Sequence, residues 1–296
     1  MSEPGRPPGP GHGSPRVRGA RAAVPGGPPR PLPLPADAFD SHCHLDMIER
    51  PVEEIVAEAR AAGIARMITV GCDLPSSRWA AACAAAHERV FAAVAIHPNE
   101  TAAAAASAGG IGAALAEIGS LAALPQVRAI GETGLDYYRD WADPALQRDS
   151  FRAHIAIAKA AGKALMIHDR DAHEDVLRML AAEGAPAQVV FHCFSGDAAM
   201  AKRCADAGYV MSFAGNVTFA SAQPLRDAAA VAPPELILVE TDAPFLTPVP
   251  HRGKPNAPAM AALTLRCIAE LKQLDVAGLC ATIAATGERV FGPWPA

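Results

Sequence analysis

What most constrains this chain is a repeated alternation, in which short β-branched and apolar runs are each followed by a stretch of helical periodicity. Strands are expected at residues 38–42, 65–70, 91–96, 127–131, 164–167, 188–191, 209–213 and 236–239. Between them, helical stretches begin near Pro, Ser or Asp and often end near Gly, as in residues 51–63 (PVEEIVAEARAAG), 144–162 and 197–208. About eight strand-then-helix units in a chain of this size predict an α/β fold, a (β/α)8 TIM barrel. An open doubly wound sheet is the alternative, but no GxGxxG follows the first strand to support it.

Composition agrees with a packed domain: 51% of the 296 residues are hydrophobic and 19% are charged, enough to bury a substantial core. The net charge of −5 excludes the overall basic field of a non-specific nucleic-acid binder, so a polyanion must be held by local cations or by metal. Seven cysteines without a CxxC pair, and no apolar run typical of a secretory leader, read as thiols of a reducing compartment and predict a cytoplasmic protein. The alanine-rich stretch at residues 101–125 contains glycines and Glu117, which suit a soluble helix or loop better than a membrane span. Residues 1–36 are dominated by Pro, Gly and Arg and read as a disordered leader, which leaves a single domain at 37–296.

The chemistry concentrates at strand ends. In FDSHCHLD (residues 39–46), His42 and His44 are two apart, so on an extended segment both face one side while Cys43 faces the other. One HxH alone is weak, but the fourth strand ends at Glu132, the fifth at His168, the sixth at His192 and the eighth at Asp242, each after an apolar run. A barrel opens onto its active site at these carboxyl ends, so the six groups are expected to converge on one mouth. Six ligands exceed what one catalytic zinc takes, and two divalent ions account for them, with Glu132 as the bridge. His42, His44 and Asp242 are assigned to one ion, His168 and His192 to the other. Mg2+, Mn2+ and Zn2+ all suit this set. Two such ions activate water, Asp242 is placed to accept its proton, and the reaction type is hydrolysis, with Asp242 and Glu132 as catalytic residues.

From Phe39 onward the chain resembles the TatD family of metal-dependent deoxyribonucleases, within the amidohydrolase-like barrels. The matching stretches are DSHCHLD, IHPN, GETGLDYY, IHDRDAHE, FHCFSG and ETDAPFLTP followed by RGKPNAP, in the family's order. The resemblance implies a (β/α)8 barrel, two divalent metals on the six residues above, and 3′ to 5′ exonuclease or phosphodiesterase action on single-stranded or frayed DNA. Some relatives act on aminoacyl-tRNA, so a D-aminoacyl-tRNA deacylase or another amide or ester hydrolase is the alternative. Many amide and ester hydrolases of the wider group resemble one another in bridging their metals with a carboxylated lysine, where this chain has Glu132, and that favours the phosphodiesterase. Ala257 stands where the family usually carries an acidic residue.

Substrate contacts are expected from four residues. Arg170 is a phosphate clamp, with a surface ion pair to Asp171 or Glu174 as the competing role. Ser195 cradles a phosphate with neighbouring N–H groups or caps the following helix. Tyr137, in the loop DYYRDWAD with Tyr138, Arg139 and Trp141, stacks unpaired bases or packs the loop. His97, ending the third strand, contacts substrate or a metal ligand.

Overall fold

In the computed structural model, which describes residues 30–293, every expected strand forms and all are parallel. They are β1 (Ala38–Cys43), β2 (Ile64–Val70), β3 (Val90–Val94), β4 (Val127–Asp136), β5 (Ala164–Arg170), β6 (Val189–Phe191), β7 (Val210–Phe213) and β8 (Ile237–Val239). Neighbours in sequence are neighbours in the sheet, from β1 through β8. The ring closes where β8 ends: Cys43 bridges to Ala243, the His44 N–H donates to Ala243 O (2.8 Å) and the Asp242 N–H donates to His42 O (2.9 Å). The fold is therefore the expected (β/α)8 barrel. Its strands are buried on both faces because side chains fill the interior and helices cover the outside.

Two strands run further than their apolar segments. β4 continues to Asp136 and β5 to Arg170, pairing Thr133 with Ile167, Gly134 with His168 and Asp136 with Arg170. Polar residues extend these strands because each supplies the other's backbone partners, which apolar patterning does not register. The register slips between Ile130 and Thr133, and such an irregularity re-aims the side chains within it. Gly134, at φ +140°, lies so close to His168 O that a Cβ would collide with it, so glycine sets the approach of β4 to β5.

The helices follow their caps. Asp143 accepts from the Ala145 N–H (2.6 Å) ahead of Pro144–Ala161, which stops at Gly162 in the left-handed region (φ 61°). Asp197, accepting from the Ala199 and Met200 N–H groups (both 2.9 Å), caps Ala198–Asp206, so the capping role considered for Ser195 belongs to Asp197. The alanine-rich stretch forms two helices, Thr101–Ala106 and Gly110–Ala122. Among the described residues no single helix is long and apolar enough to cross a membrane.

Of the expected leader, residues 1–29 lie outside the described residues. The rest does not stay clear of the barrel up to residue 36: Leu34 is buried, its N–H donates to Ala62 O (3.0 Å), and Arg266 Nη2 donates to Pro33 O (2.8 Å). Packing thus begins ahead of residue 37, at the amino end of β1 and away from the end bearing His42.

His154 shows how tightly the helices seat on the barrel. It lies on Pro144–Ala161, fully buried, where Nδ1–H donates to Ser150 O (2.8 Å) and Nε2 accepts from the Ile96 N–H (3.0 Å). Burial lowers its pKa to about 4. An ordinary imidazole titrates near 6.5, so the stabilisation from neutral His154 is complete above about pH 6.5 and is lost as pH falls toward 4. Urea denaturation of the wild type and His154→Gln is expected to show the stability gap narrowing by about 2 kcal/mol between pH 8 and pH 5. A gap independent of pH contradicts this account.

Candidate metal centre

The extended end of β1 sets His42 and His44 on one face, their Nε2 atoms 3.2 Å apart, while the Cys43 side chain turns away into the core with its thiol against Ile68 O (3.3 Å). His44 Nδ1–H donates to Val70 O (3.1 Å), which directs Nε2 at the centre. Asp242 follows β8 in the left-handed region (φ 51°), and its Oδ1 lies 3.4 Å from His44 Nε2 and 3.8 Å from His42 Nε2.

Glu132 lies at the β4 register slip, and its two oxygens face different groups. Oε1 is 3.7 Å from His42 Nε2 and 3.5 Å from His44 Nε2. Oε2 is 2.8 Å from His192 Nε2 and 3.3 Å from His168 Nδ1. One set therefore comprises His42, His44, Asp242 and Oε1; the other comprises His168, His192 and Oε2. Nitrogen and oxygen donors from five strands or strand ends crowd together, with His42, His44 and Asp242 in one cluster and His97, Glu132 and His168 in another, a donor chemistry that fits divalent cations.

Sequence reasoning missed the carboxylates behind these ligands. Glu240 Oε1 accepts from His192 Nδ1–H (3.1 Å) and the Cys193 N–H (2.8 Å). Asp136 Oδ2 accepts from His168 Nε2–H (3.1 Å) and from Asn99 Nδ2 (2.9 Å). Each selects the tautomer that points the other ring nitrogen at Glu132 and makes it a stronger ligand. Asp40, fully buried, accepts from the Thr241 N–H (2.9 Å), the Thr241 hydroxyl and the His42 N–H (3.2 Å), so one carboxylate aligns the end of β8 with β1. Cys72, at the end of β2, donates its thiol to Glu132 Oε1 (3.4 Å). The signal for them is positional: Glu240 and Asp136 stand in ETDAP and GLDYY, two residues before Asp242 and one before Tyr137.

The electrostatics are those of a centre organised for positive charge. Burial pushes Glu132 upward, yet His192, His97 and His168 hold its carboxyl well below the usual range. Asp242, also opposed by burial, is held low by His44 and His42. Burial lowers His42, with His192 stacked on it at a 3.8 Å centroid distance adding to the effect. Against the same burial, Asp242 and Glu132 raise His44 to about 9.

The other expected contacts divide. His97 borders the centre: Nδ1 accepts from the Asn99 N–H (3.0 Å), so Nε2 carries the proton, 3.8 Å from Glu132 Oε2. Burial, with His168 beside it, lowers its pKa to about 3. Arg170 makes neither expected ion pair; Glu174 is taken by Arg203, and the Arg170 guanidinium lies 3.9 Å over the Tyr138 ring. Ser195 is exposed and donates its hydroxyl to Asp169 O (2.8 Å). Tyr137 does not reach the mouth: its hydroxyl donates to Asp175 (2.7 Å) and accepts from Arg148 (3.1 Å). Alternation along the chain turns Tyr137 toward the helices and leaves Tyr138 exposed. Behind Asp242, Asn256 takes up the late loop, with Nδ2 donating to Thr241 O (3.0 Å) and Oδ1 accepting from the Ala257 N–H (3.0 Å).

Comparison with known proteins places this arrangement. Residues 39–292 match the family described as TatD related DNase. A metal-dependent hydrolase designated TatD from Mycobacterium tuberculosis is 44% identical over 264 residues, covering 86% of this chain and 97% of that protein. The metal-dependent hydrolase YabD of Bacillus subtilis is 36% identical over 256 residues, covering 86% and 98%. Among solved structures, the TatD homologue YJJV of Escherichia coli superposes with a TM-score of 0.79 at 25% identity, over 86% of this chain and 98% of that one.

A cation at Nε2 of His44 displaces a proton from any molecule in which that imidazole is charged. With the folded pKa near 9, metal affinity is expected to rise with pH up to about 9 and to fall as pH drops below it. Calorimetric titration with Zn2+ at pH 7, in buffers of different ionisation enthalpy, is expected to show proton release. Identical heats in both buffers rule this out.

Proposed function

The chain belongs to the TatD family of metal-dependent hydrolases, and from that premise we propose that it is a deoxyribonuclease, hydrolysing phosphodiesters from 3′ ends of single-stranded or frayed DNA with two divalent cations. The observation that carries the reading is the split of Glu132, whose Oε1 and Oε2 each serve a different histidine pair. His42, His44 and Asp242 with Oε1 would hold one cation, His168 and His192 with Oε2 the other; Mg2+, Mn2+ and Zn2+ all suit these donors. Held there, divalent cations would supply an acidified water and offset charge on phosphoryl oxygens.

The chain's own groups do the rest. Asp242, held ionised by its imidazole neighbours, takes the proton from the attacking water. His97 stays neutral and presents Nε2–H to a phosphoryl oxygen. Arg170 offers its guanidinium to the next phosphate along the strand, since among the described residues it makes no ion pair. Seven unpaired thiols support a reducing, cytoplasmic setting.

The test is hydrolysis of labelled single-stranded DNA by chelator-treated protein to which Mg2+, Mn2+ or Zn2+ is restored. Activity is expected only after restoration, with progressive loss of nucleotides from the 3′ end. Asp242→Asn is expected to lower the rate about 100- to 10,000-fold, the contribution of a positioned general base, and Glu132→Gln to leave no activity with any of the three metals restored. Activity indifferent to chelator and to Asp242→Asn ends the nuclease reading. Release of the amino acid from D-aminoacyl-tRNA with DNA left whole transfers the site to the ester alternative.

A further inference from the structure

Above the metal centre, the loop after β4 carries two exposed aromatic rings, Tyr138 (58% exposed) and Trp141 (45%), where most large apolar side chains are buried. Two guanidinium groups lie on these rings: Arg170 is 3.9 Å from the Tyr138 centroid, and Arg139 is 4.7 Å from that of Trp141 and 5.5 Å from that of Tyr138. Among the described residues, neither arginine side chain forms a salt bridge or a hydrogen bond, whereas Arg148, Arg152, Arg178 and Arg203 all have carboxylate partners. A guanidinium that lies over a ring and has no hydrogen-bond partner keeps its N–H groups unspent, and their fork matches two phosphate oxygens. The rings meanwhile keep open area of the kind on which bases stack.

The position of this cluster is fixed relative to the metal centre. Asp136 accepts from the Tyr138 and Arg139 N–H groups with Oδ1 (both 3.0 Å) and from His168 with Oδ2 (3.1 Å). One buried carboxylate thus ties the aromatic loop to a metal ligand. Arg170 is two residues beyond that same ligand on β5.

We infer that Tyr138, Trp141, Arg139 and Arg170 form a platform for unpaired nucleobases, with the rings stacking bases and the arginines holding the phosphates between them. The inference rests on the nuclease reading and names the side chains by which that site selects strands whose base faces are free. A duplex interior hides those faces in its own stack, so only single-stranded or frayed ends engage the platform.

Binding measured in chelator separates this inference from the chemistry below it. Fluorescence anisotropy compares a labelled oligothymidine of about ten nucleotides, within the usual range of single-strand sites, with an abasic strand of the same length. The full-length wild type is expected to prefer the base-bearing strand roughly 5- to 150-fold, the range of base–aromatic stacking. Tyr138→Ala with Trp141→Ala is expected to erase that preference, while Arg139→Ala and Arg170→Ala weaken both strands and each flatten the salt dependence by about 0.7 in log–log slope. Equal binding of both strands by the wild type overturns the inference without recourse to any variant. So does a preference that survives loss of both rings, or no measurable binding to either strand. Cleavage without base preference sinks the platform and spares the nuclease; base preference without cleavage does the reverse.

Discussion

The carboxylate of Glu132, buried among five imidazoles, is the constraint on which the centre depends. An isolated charge at such depth is costly, and burial alone favours a neutral acid. It stays ionised because His192, His97 and His168 border it, with His42 and His44 on the far oxygen. Each histidine stands at or just beyond a strand end, so the position of Glu132 is a statement about the relative placement of β1, β3, β4, β5 and β6. A barrel that shears or opens separates these groups and leaves the charge without partners.

That placement is enforced from behind. Asp40 clasps Thr241 and so brings Asp242 up to His44, at the seam where the sheet closes by a single bridge and two backbone hydrogen bonds. Glu240 and Asp136 choose the tautomers of His192 and His168. The ligands point inward from parallel strands, while their buried partners take up the remaining ring nitrogens. The centre therefore keeps its shape through its own hydrogen bonds, and a cation would enter a site already formed.

Asp136 also explains how the rim and the centre stay in register. The pairing that carries β4 past its apolar segment places this carboxylate where one oxygen holds a metal ligand and the other holds the start of the loop. Tyr137 and Tyr138 then separate by alternation, one hydroxyl bonded to the helix layer and one ring left in solvent. Strand ends supply the clustered imidazoles and carboxylates and loops supply the exposed side chains around them, the division of labour expected of this architecture.

By itself the sequence determined the eight strands, the barrel and the six polar groups that gather at its mouth, because apolar runs, helical spacing and polar residues at strand ends are local signals. Local signals also sufficed for His42 and His44, whose spacing of two on a strand fixes a shared face. Only the tertiary structure showed that the carboxylate of Glu132, at a register slip between β4 and β5, reaches both histidine pairs at once. It alone brought Asp40, Asp136 and Glu240 behind the ligands, stacked Arg170 on Tyr138 rather than pairing it with Glu174, turned Tyr137 away and seated Leu34 on the barrel. These are contacts between segments distant in sequence, and they exist only once the barrel has closed and fixed the distances between its strands.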